Sequence, residues 1–329
     1  VDGVLPFDEA EKFAFPRLWI DEEDKRLDGL GNEFNAKQVL YREYCTDVAK
    51  DITKWTAEPY YVYLEAGIHE IEISPKSGCF EIKEFIFGVD TEAPKYDKPS
   101  DKESFYDGEA VIVEAENALY KNSYWLVSRT DNSSVNVSPN SVHKSLLNYI
   151  GGGTWKTTGE TITWETPELS AGYYQLGFSY RQSAVIGGKA YRELKIDGSV
   201  PFREAESIGF SYDDNWQQSF FADSKGKPYL IYLSEGKHTF SLGVVPGDGE
   251  DVCNLIKQAV AQLGSLYVDI TMITGETVDT YRDYDLFSQI PDMEKQLSDI
   301  SEKLDEASLQ LKKINGQDGG SHVSIVNNM

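Results

Sequence analysis

Short runs of alternating apolar and polar residues dominate the middle of the chain. In TITWE (161–165), Ile162 and Trp164 share one face, which is the two-residue period of a half-buried strand. AGYYQLGFSY (171–180) puts Tyr174, Leu176, Phe178 and Tyr180 on one face and Tyr173, Gln175 and Ser179 on the other. RELKIDG (192–198) ends in an Asp-Gly turn signal. YLIYL, the turn SEGK and HTFSLGVV predict a hairpin, and LYVDITMI (266–273) predicts a closing strand. Many short strands at turn-bounded spacing predict a β-sandwich over 111–276.

Two stretches follow the other period. EDVCNLIKQAVAQL (250–263) places Val252, Leu255, Ile256, Ala259 and Leu263 on one helical face, so a helix is expected just before the closing strand. Beyond 276, Ile290, Met293, Leu297, Ile300, Leu304, Ala307, Leu311 and Ile314 recur at alternating steps of three and four. This seam predicts a helical segment within 277–315, with Pro291 in its first turn. The stripe must be buried against something: the preceding sandwich, chain beyond Met329, or a coiled-coil partner. Residues 316–329 are polar and read as a loose tail, and 89–110, with Pro94, Pro99 and many charges, read as a linker.

The chain repeats itself. VDGVLPFDEAEKFAF (1–15) and IDGSVPFREAESIGF (196–210) agree at eight of fifteen positions. PYYVYLEAGIHEIEI (59–73) and PYLIYLSEGKHTFSL (228–242) agree at six of fifteen. The order is the same and the offsets are 195 and 169, so the first copy carries 26 extra residues within 16–58. About eighty-five residues, 111–195, precede the second IDG block, and nothing precedes the first. The first copy (1–88) therefore reads as the back half of a sandwich module. The expectation is two modules in tandem, with chain upstream of Val1 completing the first.

Composition narrows the functional classes. A net charge of -24 would repel a phosphate polymer, which excludes nucleic-acid binding. No run of eighteen apolar residues predicts a membrane span. Cys45, Cys79 and Cys253 have no metal-ligand spacing. The 20 Tyr, 15 Phe and 6 Trp fit sheet cores and sugar-stacking surfaces alike.

Catalytic motifs fail on inspection. Gly151-Gly152-Gly153 lacks a downstream G-K-[ST] and is no phosphate loop. His69 and His238 occupy equivalent places in the repeat, which argues for a structural role and against a triad. No acidic pair is marked for glycoside hydrolysis. Trp125, Tyr149, Trp155 and Trp216 are candidate sugar platforms, each weighed against plain packing. Trp155 sits just after the glycine run and Tyr149 just before it. Asn148 and Arg181 are candidates for hydrogen bonds at a sugar's rim.

VIVEAENA (111–118), followed by GETITWETPELSAGYYQLGFSYRQ, resembles carbohydrate-binding modules of families six and thirty-five, which are galactose-binding-like jelly rolls. The resemblance covers 111–275 and, in its back half, 1–88. It implies a ligand cleft among loops, with one Tyr and one Trp flanking the sugar. It also implies a structural Ca²⁺ held by Glu114, Glu116 and Asp269, carboxylate oxygens being suited to that ion. In the first copy the aligned FEIKEFIF offers Lys83 and Glu84, so no Ca²⁺ is expected there.

YRELKIDGSVPFREAESIGFS and TYRDYDLFSQIPDMEKQL (280–297) resemble the N-terminal region of large extracellular solute-binding proteins of bacterial sugar ABC transporters. That resemblance implies an extracellular, lipid-anchored parent protein that meets a transporter permease. The expected role is non-catalytic binding of an oligo- or polysaccharide. The alternatives are a ligand-free structural spacer and an accessory module of a glycoside hydrolase, because this sandwich hosts many functions.

Overall fold

A computed structural model describes residues 1–7, 10, 15, 17–22, 26–49, 59–75, 81–88, 92–99, 105–134, 136–315 and 326. The chain divides into a β unit, Val1–Ser183 with Tyr191–Val245, and a helical unit, Ala184–Ala190 with Pro246–Met329. The strands of the β unit are β1 (Trp19–Asp21), β2 (Arg26–Leu27), β3 (Glu33–Phe34), β4 (Gln38–Leu40), β5 (Tyr120–Lys121), β6 (Ser128–Arg129) and β7 (Tyr149–Ile150). They continue as β8 (Thr161–Glu165), β9 (Gly172–Gln175), β10 (Gly177–Gln182), β11 (Lys189–Ile196), β12 (Ile208–Ser211), β13 (Asp213–Phe220), β14 (Leu230–Leu233) and β15 (Thr239–Val245).

Seven strands form one sheet in the order β12-β11-β15-β8-β5-β1-β4. Neighbours from β11 to β4 run antiparallel. β9 pairs with β14 and β10 with β13, also antiparallel. The inward faces of both layers share one core, in which Ile162, Trp164, Leu194, Phe210, Ile231 and Leu242 are buried. The mainly β sandwich expected from the alternating pattern is the observed architecture. Trp164 anchors it: its indole N–H donates to the Ala115 carbonyl at 2.8 Å and its ring stacks on Phe240 at 5.5 Å.

Several sequence expectations change. The run 171–180 is two strands, broken at Leu176, with partners in different pairs. YLIYL and HTFSLGVV are not a hairpin, because β14 joins β9 whereas β15 lies between β8 and β11. The tandem arrangement is also different. The extra residues of the first copy supply β1 and β4, which extend the second copy's sheet beyond β5. Lys121, with none of its side chain exposed, reaches both oxygens of Asp21 at 2.9 and 2.8 Å and fastens β1 to β5. The Gln38 amide oxygen, oriented to satisfy both partners of that amide, accepts from Lys121 Nζ at 3.0 Å. Residues 59–75 and 81–88 carry no extended strand.

The helical unit holds α1 (Glu250–Thr274), α2 (Leu286–Gln289) and α3 (Met293–Asn315). The predicted closing strand, 266–273, is instead the last part of α1. Leu266, Ile270 and Ile273 lie four and three residues apart, and this helical spacing wins over their β-branched neighbours. Glu250 and Asp251 in the first turn favour the helix dipole, and Gly275, at φ 74°, ends α1 with its N–H on the Thr271 carbonyl. The seam of α3 packs on α1. Val252, Leu255 and Ile256 meet Leu304, Ala307, Leu311 and Ile314 at one end, and Leu266 and Ile270 meet Ile290 and Met293 at the other. The start of α1 thus faces the end of α3, an antiparallel pair, and most of the stripe packs on α1, with Leu297 left exposed. The predicted tail lies outside the described residues apart from Val326, which is buried in the first of these clusters. Of the predicted linker 89–110, residues 92–99 and 105–110 are described. Tyr96 in it packs edge-on against Phe202 and Tyr229.

The repeated histidines are structural in both copies. His238 Nδ1 lies 2.6 Å from Asp197 Oδ2 and its Nε2 3.0 Å from the Ser234 carbonyl, locking the Asp-Gly turn to the start of β15. The Asp197 bond raises the His238 pKa. Burial pushes the Asp197 carboxyl up, but the His238 bond and the Thr239 amide hold it below the usual value. A raised histidine contributes stability fully below its unfolded pKa, about 6.5, and loses it as pH rises through the folded value. The lowered aspartate contributes above 3.8 and loses its share as pH falls through its folded value. The clamp is therefore strongest between about pH 4 and 6.5. Asp197→Asn tolerates the left-handed backbone (φ 49°) but removes the charge. We expect it to flatten the fall in Tm between pH 6 and 9, by under about 1 kcal/mol because Asp197 is half exposed. Equal slopes for wild type and variant would remove His238 from the account.

Candidate functional site

The sandwich presents a concave polar region beside an aromatic ring. It lies where the loop after β6 approaches the β10–β13 pair. The register between these strands shifts between Tyr180 and Gln182, so Arg181 sits on an irregularity that re-aims its side chain. Opposite it, Asp214, Asn215 and Trp216 come from β13. Ser133, Ser134 and Asn136 complete a cleft of about 160 Å³. Ser133 also lines a larger hollow of about 390 Å³ with Asn132, Asn140, Ser141 and Val142.

Asp131 organises this region. Its Oδ1 accepts from the Ser133 amide at 2.7 Å and the Ser133 hydroxyl at 2.5 Å. Its Oδ2 accepts from the Trp216 indole N–H at 2.9 Å and pairs with Arg181 Nη1 at 2.6 Å. Burial pushes the Asp131 carboxyl up, but the Ser133 and Trp216 bonds and the Arg181 charge outweigh it and lower the pKa to about 2. Arg181 lies over the Trp216 ring with Cζ 5.2 Å from its centroid. The Tyr149 ring meets Trp216 edge-on at 5.6 Å. One buried carboxylate thus fixes both the cation and the indole, leaving other guanidinium donors and the cleft's hydroxyl and amide groups for a ligand.

The predicted site residues separate. Tyr149, Trp216 and Arg181 come together. Asn148 stands behind them as a buried brace, not as a rim donor: its Oδ1 accepts from the Asp131 amide at 2.8 Å, and its Nδ2 donates to the Asp131 and Pro139 carbonyls at 2.9 Å each. Trp155 packs against the core instead of standing open. Its ring meets Trp164 at 6.4 Å, its N–H donates to the Glu160 carbonyl at 3.1 Å, and Arg192 covers it at 4.4 Å. Gly151, at φ 99°, has to be glycine there, since a Cβ would lie 2.9 Å from the indole. Trp125 is 70% exposed and makes an edge contact with Tyr124.

The three carboxylates that the resemblance implies for Ca²⁺ lie on different elements, and Asp269 is helical where a closing strand was expected. Asp269 lies in α1 of the helical unit, whereas Glu114 and Glu116 belong to the β unit. Among the described residues, no group of three or more His, Cys, Asp or Glu side chains could hold a metal ion.

Sequence reasoning missed Asp131. The signal was present in Asp131-Asn132-Ser133, where an aspartate two residues before a serine favours the local Asx bond that forms. It also missed the supporting hairpin. Asn32 Oδ1 accepts from the Ser145 amide, the Glu33 amide donates to the Ser145 carbonyl, and Glu33 Oε2 accepts from the Leu147 amide, at 2.8, 2.8 and 2.9 Å. β2 and β3 thereby hold the chain that runs into Asn148 and Tyr149.

No curated protein matches the chain. Among solved structures, it is similar to a family 35 carbohydrate-binding module from Clostridium thermocellum at 17% identity and TM-score 0.31, over 41% of this chain and 85% of that one. It is also similar to a Paenibacillus cycloisomaltooligosaccharide glucanotransferase complexed with cycloisomaltoheptaose, at 18% identity and TM-score 0.31, over 44% of this chain and 17% of that one. A Podospora anserina GH26-CBM35 β-(1,4)-mannanase is similar at 17% identity and TM-score 0.28, over 41% of this chain and 24% of that one. Residues 251–329, which take in nearly all of α1 and the whole of α2 and α3, match the family model of the bacterial solute-binding protein, 4-helix bundle domain.

Proposed function

We propose that the β unit is a non-catalytic carbohydrate-binding module and that it takes its ligand in the cleft at Arg181 and Trp216. The observation that carries this reading is the buried Asp131 carboxylate gripping both Arg181 and Trp216 beside hydroxyl and amide side chains. A sugar offers hydroxyls to such donors and acceptors and a CH face to an indole. An apolar ligand would leave the polar lining unsatisfied. In the same reading the chain belongs to an extracellular sugar-capture protein that serves an ABC transporter, which the match of 251–329 supports.

A glycan array followed by calorimetry with the best binder tests this. Trp216→Ala should weaken binding by about 1–3 kcal/mol, roughly five- to a hundred-and-fiftyfold. Trp125→Ala should leave it unchanged. A ligand-free spacer would show no array signal that Trp216→Ala removes.

A further inference from the structure

The cleft at Trp216 does not stand alone. Ser133 lines both it and the larger hollow, so the two spaces, about 160 and 390 Å³, adjoin at that residue. The smaller space by itself falls below the roughly 300–1,000 Å³ of ordinary small-molecule sites, and the two together fall within that range. The wall between them is fixed, because Asp131 Oδ1 holds both the amide and the hydroxyl of Ser133.

The two linings differ in charge. Arg181 is the cation of the cleft, and Asp131 already balances it at 2.6 Å. Arg181 can therefore donate hydrogen bonds, but it offers no net positive charge. Asp214 also lines the cleft; its Oδ1 accepts from the Tyr212 hydroxyl at 3.1 Å, and no cation pairs with it among the described residues. Asp213, one residue back, adds a second carboxylate, which accepts from the backbone and side-chain nitrogens of Asn215 at 2.8 and 3.1 Å. The hollow is lined instead by the amides of Asn132 and Asn140, the hydroxyls of Ser133 and Ser141, and Val142, which is 93% exposed. Asn140 Nδ2 donates to the Ser134 carbonyl at 2.6 Å and Asn132 Nδ2 to the Lys144 carbonyl at 3.3 Å, which leaves each side-chain oxygen as an acceptor. Sugar hydroxyls can use both linings. A carboxylate on the ligand would approach Asp213 and Asp214 and meet no unbalanced cation.

We propose that cleft and hollow are two subsites of one groove, and that its ligand is an uncharged oligosaccharide of two or more units, one against Trp216 and the next among Asn132, Asn140 and Ser141. This rests on the carbohydrate reading of the cleft and adds to it the length and the charge of the ligand. The amides of the hollow supply the gain from the second unit, and Asp214 supplies the discrimination against acidic sugars.

The test is calorimetry of the full chain with glucose, mannose and galactose, with their β-linked di- and trisaccharides, and with the matching uronic acid oligomers. In the series that binds, the disaccharide should bind roughly tenfold more tightly than its monosaccharide. The matching uronate should bind several-fold more weakly than the neutral sugar at low salt, and the gap should close as added salt screens the carboxylates. Asn132→Ala should remove most of the disaccharide's gain, and Asp214→Asn should narrow the uronate gap by about threefold. Trp216-dependent binding that is equal for mono- and disaccharide, or that favours the uronate, would overturn this inference and leave the carbohydrate reading standing. No Trp216-dependent binding in any series would overturn both.

Discussion

Asp21→Ala should destabilise the β unit by about 3 kcal/mol, because it strands a buried ammonium. Lys121 is fully buried in β5, between β8 and β1 in the sheet, and its bonds to Asp21 are what satisfy its charge at that depth. Removing the carboxylate leaves the Gln38 amide oxygen, a neutral acceptor, against a full charge. Replacing both ends with apolar residues, Asp21→Leu with Lys121→Met, removes the stranded charge and should return stability to within about 1 kcal/mol of wild type. Urea unfolding of the three variants checks this. Additive losses in the double variant would show that the pair is not coupled and that β1 is held by other means.

Asp131→Ala should cut carbohydrate affinity by roughly thirtyfold or more without touching the ligand, since truncating one partner of a buried, hydrogen-bonded charge pair costs about 2–5 kcal/mol. The substitution releases Arg181 and the Trp216 indole together and removes the brace of the Ser133 turn. Arg181→Ala removes one group and should cost less. The sign of the pH dependence follows from the lowered Asp131 pKa. Its contribution is present above 3.8, the unfolded value, and is lost only as pH falls through about 2. Wild-type binding should therefore hold from pH 7 down to about 4. Titrations across that range check it, and a loss of affinity near pH 5 would point to a different controlling group.

Much of the sandwich is legible in the sequence because apolar residues at two-residue spacing mark the core side of its strands. Ile162 and Trp164 in β8, and Leu242 and Val244 in β15, stand two residues apart and are buried. The seam of α3 is legible for the same reason at the helical period. The partnering of strands is not written locally. The turn at 234–237 looks like a hairpin connection, but whether β15 meets β14 or β8 depends on residues seventy positions away. At 266–273 two periods coexist in one run, and the length of the preceding helix decides between them. The site was half legible. Trp216 and Arg181 stand out by residue type, but Asp131, which sets both, is an ordinary acidic residue among 55. Trp155 misleads because a glycine turn suggests a loop, whereas Gly151 is what lets the indole fold back onto Trp164.

The hairpin that carries β1 and β4 also governs what the sheet shows to other molecules. With it in place, the outer rim is a three-residue strand followed by irregular chain and flanked by the exposed Lys37, a poor template for another chain. Beneath it lies β5, whose outward backbone groups pair with β1. Loosening the hairpin uncovers a sheet margin that can recruit a neighbour, so damage at Asp21 would be felt first as loss of solubility, before the core melts.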